Sequence, residues 1–142
     1  MDFKLHREQT GGAMSIVEHT VDPGCLIPPH VHRHEDECSY VLEGEIGARI
    51  GDQVVQVLAG SFVRKPRGIP HTFWNAGPRP ARLIEIITPA GFEQFFVELD
   101  ELVRGGPSFA EVAKLGARYG LEYHMDWVEE LVARYNLKLQ GQ

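Results

Sequence analysis

The sequence predicts a mainly β protein, a small antiparallel barrel or sandwich of short strands followed by a helical tail. Three observations predict it. Short runs rich in Val, Ile, Thr and aromatic residues recur before residue 90, bounded by turn residues such as Asp22-Pro23-Gly24, Gly51-Asp52, Ala59-Gly60 and Gly77-Pro78. Eight of the nine prolines lie in that part of the chain. After residue 90 the apolar spacing changes from two to about 3.6, the period of a helix.

Taken in order, the expected strands are Met14–Val21, Ser39–Glu43, Glu45–Ile50, Gln53–Leu58, Phe62–Lys65, His71–Asn75 and Ala81–Thr88. Phe92, Phe95, Phe96, Leu99, Leu102 and Val103 then share one helical face, and Gly105-Gly106 stops the run. Ser108-x-x-Glu111 is a capping box that opens a second helix carrying Val112, Leu115 and Tyr119. Asp126 is the expected cap of a third, with Trp127, Leu131, Val132 and Tyr135 inward and Asn136 as its left-handed stop. Residues 1–90 therefore read as a β-barrel, and residues 91–142 as a helical extension packed on it rather than an independent domain. A chain of 142 residues is one compact domain in size.

Composition excludes several classes. Lys and Arg total 14 against 20 Asp and Glu, a net charge of −6, which opposes a phosphate-binding surface. The two predicted helices joined by a short turn invite a DNA-binding reading. There Lys114, Arg118 and Arg134 are outnumbered by Glu111, Glu122, Asp126, Glu129 and Glu130, so no nucleic-acid partner is expected. No apolar run reaches the roughly 20 residues of a membrane span, and the first residues lack the order of a secretion signal. Cys25 and Cys38 do not make a disulfide framework, and each reads as a small hydrophobe. The expectation is a cytoplasmic protein with no membrane partner.

The chemistry-bearing residues lie between 24 and 75. In a strand, His30 and His32 share a face with Cα atoms about 6.6 Å apart, so both imidazoles can meet one ion. The polar stretch Arg33-His34-Glu35-Asp36 can bend the chain and return Glu37 to the same point; His34 itself reads as a surface residue or a partner behind the ligands, not a fifth ligand. His71 follows a turn at Pro66-Arg67-Gly68. Three imidazoles and one carboxylate suit a borderline divalent ion with two positions open for substrate or dioxygen. A Glu37 carboxylate buried without a cation or proton would be costly, which favours a metal over a metal-free polar cluster. Strand parity makes Phe73, Val41, Ser39, Met14 and Ile16 pocket-wall candidates, and sends Trp74, Tyr40 and Phe62 outside or to a dimer seam. His6, His19 and His124 read as ordinary structure, and Glu18 and Glu85 as exposed positions or histidine partners.

Gly24-x5-His30-x-His32-x4-Glu37-x6-Gly44, followed by Gly60-x5-Pro66-x-Gly68-x2-His71-x3-Asn75, matches both cupin motifs at every fixed position. The chain thus resembles the cupin superfamily. The resemblance implies a jelly-roll barrel holding one divalent transition metal (Fe, Mn, Ni, Co or Zn) on His30, His32, Glu37 and His71. It leaves Asn75 a turn-bonding role. The stretches 65–75, 81–85 and 88–93, with Gly11-Gly12 ahead of Val17-Glu18-His19-Thr20, look like the quercetin 2,3-dioxygenase-like group. That likeness implies a dioxygenase acting on a deprotonated flavonol-like phenol or enol, with Glu37 as the catalytic base. The better-known flavonol enzymes carry two barrels, whereas this chain has one. A non-catalytic small-molecule binder and a metal-dependent isomerase or cyclase remain alternatives. A homodimer is expected, because pairing buries open strand edges.

Overall fold

A computed structural model describes residues 1–141. In chain order the first strands are β1 (Asp2–Leu5), β2 (Ser15–Val21), β3 (Cys25–Leu26), β4 (His30–His32) and β5 (Asp36–Glu43). They are followed by β6 (Glu45–Ile50), β7 (Gln53–Leu58), β8 (Phe62–Lys65), β9 (His71–Trp74) and β10 (Ala81–Thr88). The last part contains α1 (Glu93–Val103), α2 (Phe109–Arg118), β11 (Leu121–Tyr123), α3 (Val128–Tyr135) and β12 (Lys138–Leu139).

The strands form two sheets that face each other without closing into one continuous ring. One has the order β1-β2-β10-β5-β8. In the other, β9 pairs with β6 along one side and with β3 and β4 along the other, and β7 extends it beyond β6. The predicted strands appear within a few residues of their expected bounds. β1, β3, β11 and β12 were not expected; β3, β11 and β12 are too short for periodicity to register, and β1, β11 and β12 lie on sheet edges.

The period-two pattern is clearest in β10, which alternates buried and half-buried over its whole length. Its Leu83, Glu85 and Ile87 face inward, as do Ser39 and Val41 of β5. On β2 the expected parity is reversed. Met14 precedes the strand and Ile16 is only half-buried, while Ser15, Val17 and Val21 are the buried positions and His19 follows their parity. The pairing Glu85↔Val17 and Leu83↔His19 fixes this register, so the inward face of β2 is odd-numbered.

Three apolar clusters follow. Val21, Ile27, Val41, Ile46, Ala48, Phe73 and Leu83 fill one end of the space between the sheets. Val17 and Ile87, toward the other end, pack against Phe92 and Phe95 of the α1 region and Leu115 of α2. The outer side of β9 buries Trp74 with Leu26 against Leu131 of α3 and Leu139 of β12. Trp74 does face outward as expected, and Tyr135 stacks on it at 4.7 Å. Tyr40, half-buried, and the exposed Phe62 meet at 4.6 Å with their rings tilted by 49°.

The helical segment is tied to the ligand-bearing sheet. β11 pairs antiparallel with β4, matching Leu121 to His32 and Tyr123 to His30, and β12 runs parallel to β3. The Ser108 capping box forms as expected, with Glu111 N–H donating to Ser108 Oγ and Ser108 N–H donating to Glu111 Oε2. Asn136 takes the left-handed stop at φ 53. Asp126, however, lies within a short 3-10 turn and caps nothing; α3 begins without a side-chain cap. Val103, expected on the inner face of α1, is 49% exposed, because the helix ends there.

Candidate metal centre

The two sheets contribute different chemistry to one point. His30 and His32 come from β4 and His71 from β9, with His30 directly opposite His71 across the ladder. Cross-strand neighbours hold their Cβ atoms roughly 5 Å apart, so these rings are close by construction. A left-handed Gly68 at φ 76 makes the turn before β9, and its N–H donates to His32 O at 2.7 Å. Asn75 pins the far end of β9, donating from Nδ2 to Val21 O and Arg79 O, and is not a ligand.

The ligand nitrogens of His30, His32 and His71 lie within 4.8 Å of one another. Adjacent ligands on one ion with bonds of about 2.1 Å lie about 3.0–3.4 Å apart, so loading draws the widest pair of nitrogens together by at most about 2 Å. Two tautomers are set by the backbone: His30 Nδ1 lies 2.6 Å from Pro28 O, and His71 Nδ1 lies 3.3 Å from Ile69 O. Each Nδ1–H is thus used, leaving Nε2 as the free lone pair. His71 Nε2 is buried with no hydrogen-bond partner, an atom left waiting for a ligand. These residues fit a transition-metal ion.

Glu37 adjoins the triad from the opposite sheet. Its Oε1 is 2.6 Å from His32 Nε2, and its Oε2 is 3.9 Å from His71 Nε2. The sequence argument treated this carboxylate as unpaired, and here the structure corrects it. Lys65, 1% exposed, is the cross-strand partner of Glu37 and sets its Nζ 3.1 Å from Oε2. The same ammonium donates to both oxygens of Glu85, at 2.7 and 2.8 Å, and Ser39 Oγ donates to Glu85 Oε1 at 2.7 Å. Glu85 is therefore neither exposed nor a histidine partner; it anchors Lys65. Glu18 is the surface one of that pair, bound to Lys4 and Arg82.

Electrostatics separates the imidazoles. Burial, together with the charge on His32, pushes His30 down to about 4, and burial beside His30 and Lys65 holds His71 well below its usual range. Burial opposes charge on His32 too, but the Glu37 and Glu35 carboxylates outweigh it and lift His32 to about 9. Glu37 is buried, yet Lys65 and His32 hold its carboxyl well below the usual range. Burial opposes charge on Lys65, and Glu85 and Glu37 outweigh it, so its ammonium stays charged. Burial raises the Glu85 carboxyl while Lys65 pulls it back; the two short contacts keep that pair ionised. Metal-free, the Lys65 and His32 cations lie among three carboxylates, Glu37, Glu85 and Glu35, each of which has one of those cations within 3.4 Å.

Several contributors escaped the sequence reading. Lys65 sits beside Arg64, and only the buried position of Val63 on the same face reveals which of the two points inward. Glu35, in the polar bend, is 8% exposed with Oε2 3.4 Å from His32 Nδ1. His34 is at the surface as expected. His19 is a structural residue between the sheets: its ring and that of Phe73 meet edge to face at 5.8 Å, and burial with the nearby Lys65 charge lowers it to about 4. Phe92 presents its face or edge to His32 at 4.4 Å and 80°, so the α1 region covers the centre on that side.

The cupin domain family matches residues 17–87, half of the chain. The chain belongs to the cupin domain family. It is 30% identical over 88 residues to the HTH-type transcriptional regulator PuuR of Escherichia coli, covering 62% of this cupin and 48% of that protein. It is 29% identical over 80 residues to the tetracenomycin polyketide synthase protein TcmJ of Streptomyces glaucescens, covering 56% of this cupin and 52% of TcmJ. The chain thus spans about half the length of the curated relatives it matches. A crystal structure of a conserved protein with a double-stranded β-helix domain from Klebsiella pneumoniae superposes with a TM-score of 0.56 at 26% identity, covering 63% of this cupin and 75% of that chain. Among the described residues, no helix is long and apolar enough to cross a membrane.

Proposed function

We propose that this cupin holds one divalent transition-metal ion on His30, His32 and His71, with Glu37 as fourth ligand, and acts as a dioxygenase on a small chelating phenol or enol. The observation that carries the reading is the convergence of three imidazoles around a buried, partnerless His71 Nε2. The ion, when bound, supplies a Lewis-acid site for an anionic oxygen. Glu37 Oε1 accepts the proton of the substrate hydroxyl, since its neighbours favour the carboxylate form. Phe73 and Val41 provide apolar walls, and Phe92 excludes water beside His32. The likeness to a polyketide synthase protein supports an enol- or phenol-bearing substrate.

The test is oxygen uptake with a panel of flavonols and diketones, comparing metal-reconstituted wild type with His71→Ala. Uptake by the wild type alone is expected, and full turnover by the alanine variant refutes the reading. The likeness to a transcriptional regulator favours a second reading, a small-molecule-sensing barrel without catalysis. It predicts ligand-induced thermal shifts with no product. Turnover without oxygen would instead mark an isomerase or cyclase.

The same proposal takes residues 1–90 as the barrel and 91–142 as its extension, because β11 pairs with β4. It takes the chain as a cytoplasmic homodimer meeting no nucleic acid or membrane. The apolar, exposed Val54 and Leu58 of β7 and Phe62 of β8 are the supporting surface for dimerisation.

A further inference from the structure

We propose that Lys65 is a positioning residue that holds Oε2 of Glu37, so that the carboxylate offers an ion one oxygen, Oε1, and remains releasable. The inference rests on the metal-centre reading above and goes beyond it to the behaviour of one ligand. An ammonium has three donors. Here they have three acceptors at hand: both oxygens of Glu85, at 2.7 and 2.8 Å, and Oε2 of Glu37 at 3.1 Å. The Phe73 ring lies 4.8 Å from Nζ and borders the ammonium with apolar surface. Lys65 cannot follow Glu37 if that side chain moves, because the Glu85 contacts and the Ser39 hydrogen bond behind them anchor it to β10 and β5. The register Glu37↔Lys65 fixes the two backbones beside each other.

The two oxygens of Glu37 therefore differ. Oε1, 2.6 Å from His32 Nε2, is close to the roughly 2.9 Å that separates adjacent ligands on one ion. Oε2 is committed to Lys65 and stands 3.9 Å from His71 Nε2. Chelation through both oxygens would strip Lys65 of a buried partner, which is costly. An ammonium on Oε2 also draws charge from the carboxylate and repels a cation at Oε1. Affinity then comes mainly from the three imidazoles. A substrate oxygen that displaces Oε1 leaves Glu37 tethered within reach of the proton it must take.

The experiment uses chelator-stripped full chain titrated with Co(II), following affinity by competition with a chelating dye. Lys65→Met with Glu85→Leu removes both charges together, so that Glu85 is not stranded and Glu37 keeps His32 as its cation. Lys65→Gln with Glu85→Gln does so with more similar shape. Either double variant is expected to bind Co(II) about 10-fold tighter, the scale on which residues behind a ligand act. Glu37→Gln is expected to lower affinity less than about 10-fold in the wild type and by a larger factor beside Lys65→Met/Glu85→Leu. A measurement on the wild type needs no variant: infrared difference spectra with labelled glutamate should show one-oxygen binding on Co(II) loading. Equal or weaker binding by both double variants, the same Glu37→Gln factor in both backgrounds, or a chelating carboxylate signature overturns the proposal. Failure of the wild type to bind Co(II), or equal binding by His71→Ala, overturns the metal-centre reading itself and this proposal with it.

Discussion

Replacing Phe92 by Ala probes the junction on which the site depends. Phe92 is 2% exposed and has ring neighbours on every side: His32 at 4.4 Å, Phe95 at 5.0 Å, Phe96 at 5.3 Å and Tyr119 at 6.2 Å. Truncating a buried Phe destabilises a core by about 3–5 kcal/mol, made up of lost transfer energy and the cavity left behind. Four aromatic contacts, each worth about 0.5–1.5 kcal/mol beyond area, put this position at the upper end. The neighbours come from β4, α1 and the residue that ends α2, and they cannot collapse together into the gap. For a chain of this size, with about 3–4 °C per kcal/mol, a loss of about 4–5 kcal/mol should lower the melting temperature by about 12–20 °C. The assay is thermal unfolding followed by far-ultraviolet circular dichroism, with Phe92→Leu as the volume-sparing control, expected to lose less than about 2 kcal/mol. A loss below about 1 kcal/mol in the alanine variant would refute the claim that this ring joins the helical layer to the histidine centre.

Three further outcomes follow from the geometry. His32 in the metal-free protein is raised to about 9, so it is charged at neutral pH and its pairing with Glu37 stabilises the fold fully below about 6.5, fading as pH rises through 9. An ion must replace that proton, so titration calorimetry in buffers of different ionisation enthalpy should show about one proton released per ion at pH 7, and affinity rising about tenfold per pH unit up to about 9. His19 is lowered to about 4, so its neutral form stabilises the fold above 6.5 and that contribution disappears as pH falls through 4. His19→Gln should therefore lose less stability than wild type between pH 6.5 and 4, by up to about 3 kcal/mol in urea titrations. Gly47→Ala places a methyl group onto the Trp74 indole, whose other face is held by Tyr135, and should destabilise by about 1–3 kcal/mol with a shifted tryptophan emission.

The triad was readable because its spacing is local: His30 and His32 share a strand face, and the glycine-rich turn that delivers His71 is written next to it. Lys65 and Glu85 were not, since a buried charge looks like an exposed one until its cross-strand partner is known. Their partners lie 28 and 20 residues away along the chain, taking Glu37 for Lys65 and Lys65 for Glu85. The parity of β2 failed for a related reason. Ser15, Glu18 and His19 make its polar pattern ambiguous, and only the ladder with β10 decides that His19 turns inward. In the helical segment the apolar period was legible at Phe92, Phe95 and Leu115, but three-residue β11 has no period to read. Asp126 carried a cap signal that the 3-10 turn overrides.

The pairing of β11 with β4 ties the two histidines of that strand to a segment nearly ninety positions downstream, as in the match of His32 with Leu121. During synthesis at about 5–20 residues per second, several seconds pass between emergence of the one and emergence of the other. Throughout that interval β4 lacks its β11 neighbour, and the His30–His32 strand keeps one open edge. The strand that carries two of the three clustered imidazoles is therefore completed from outside the barrel, by residues 121–123 made well after it.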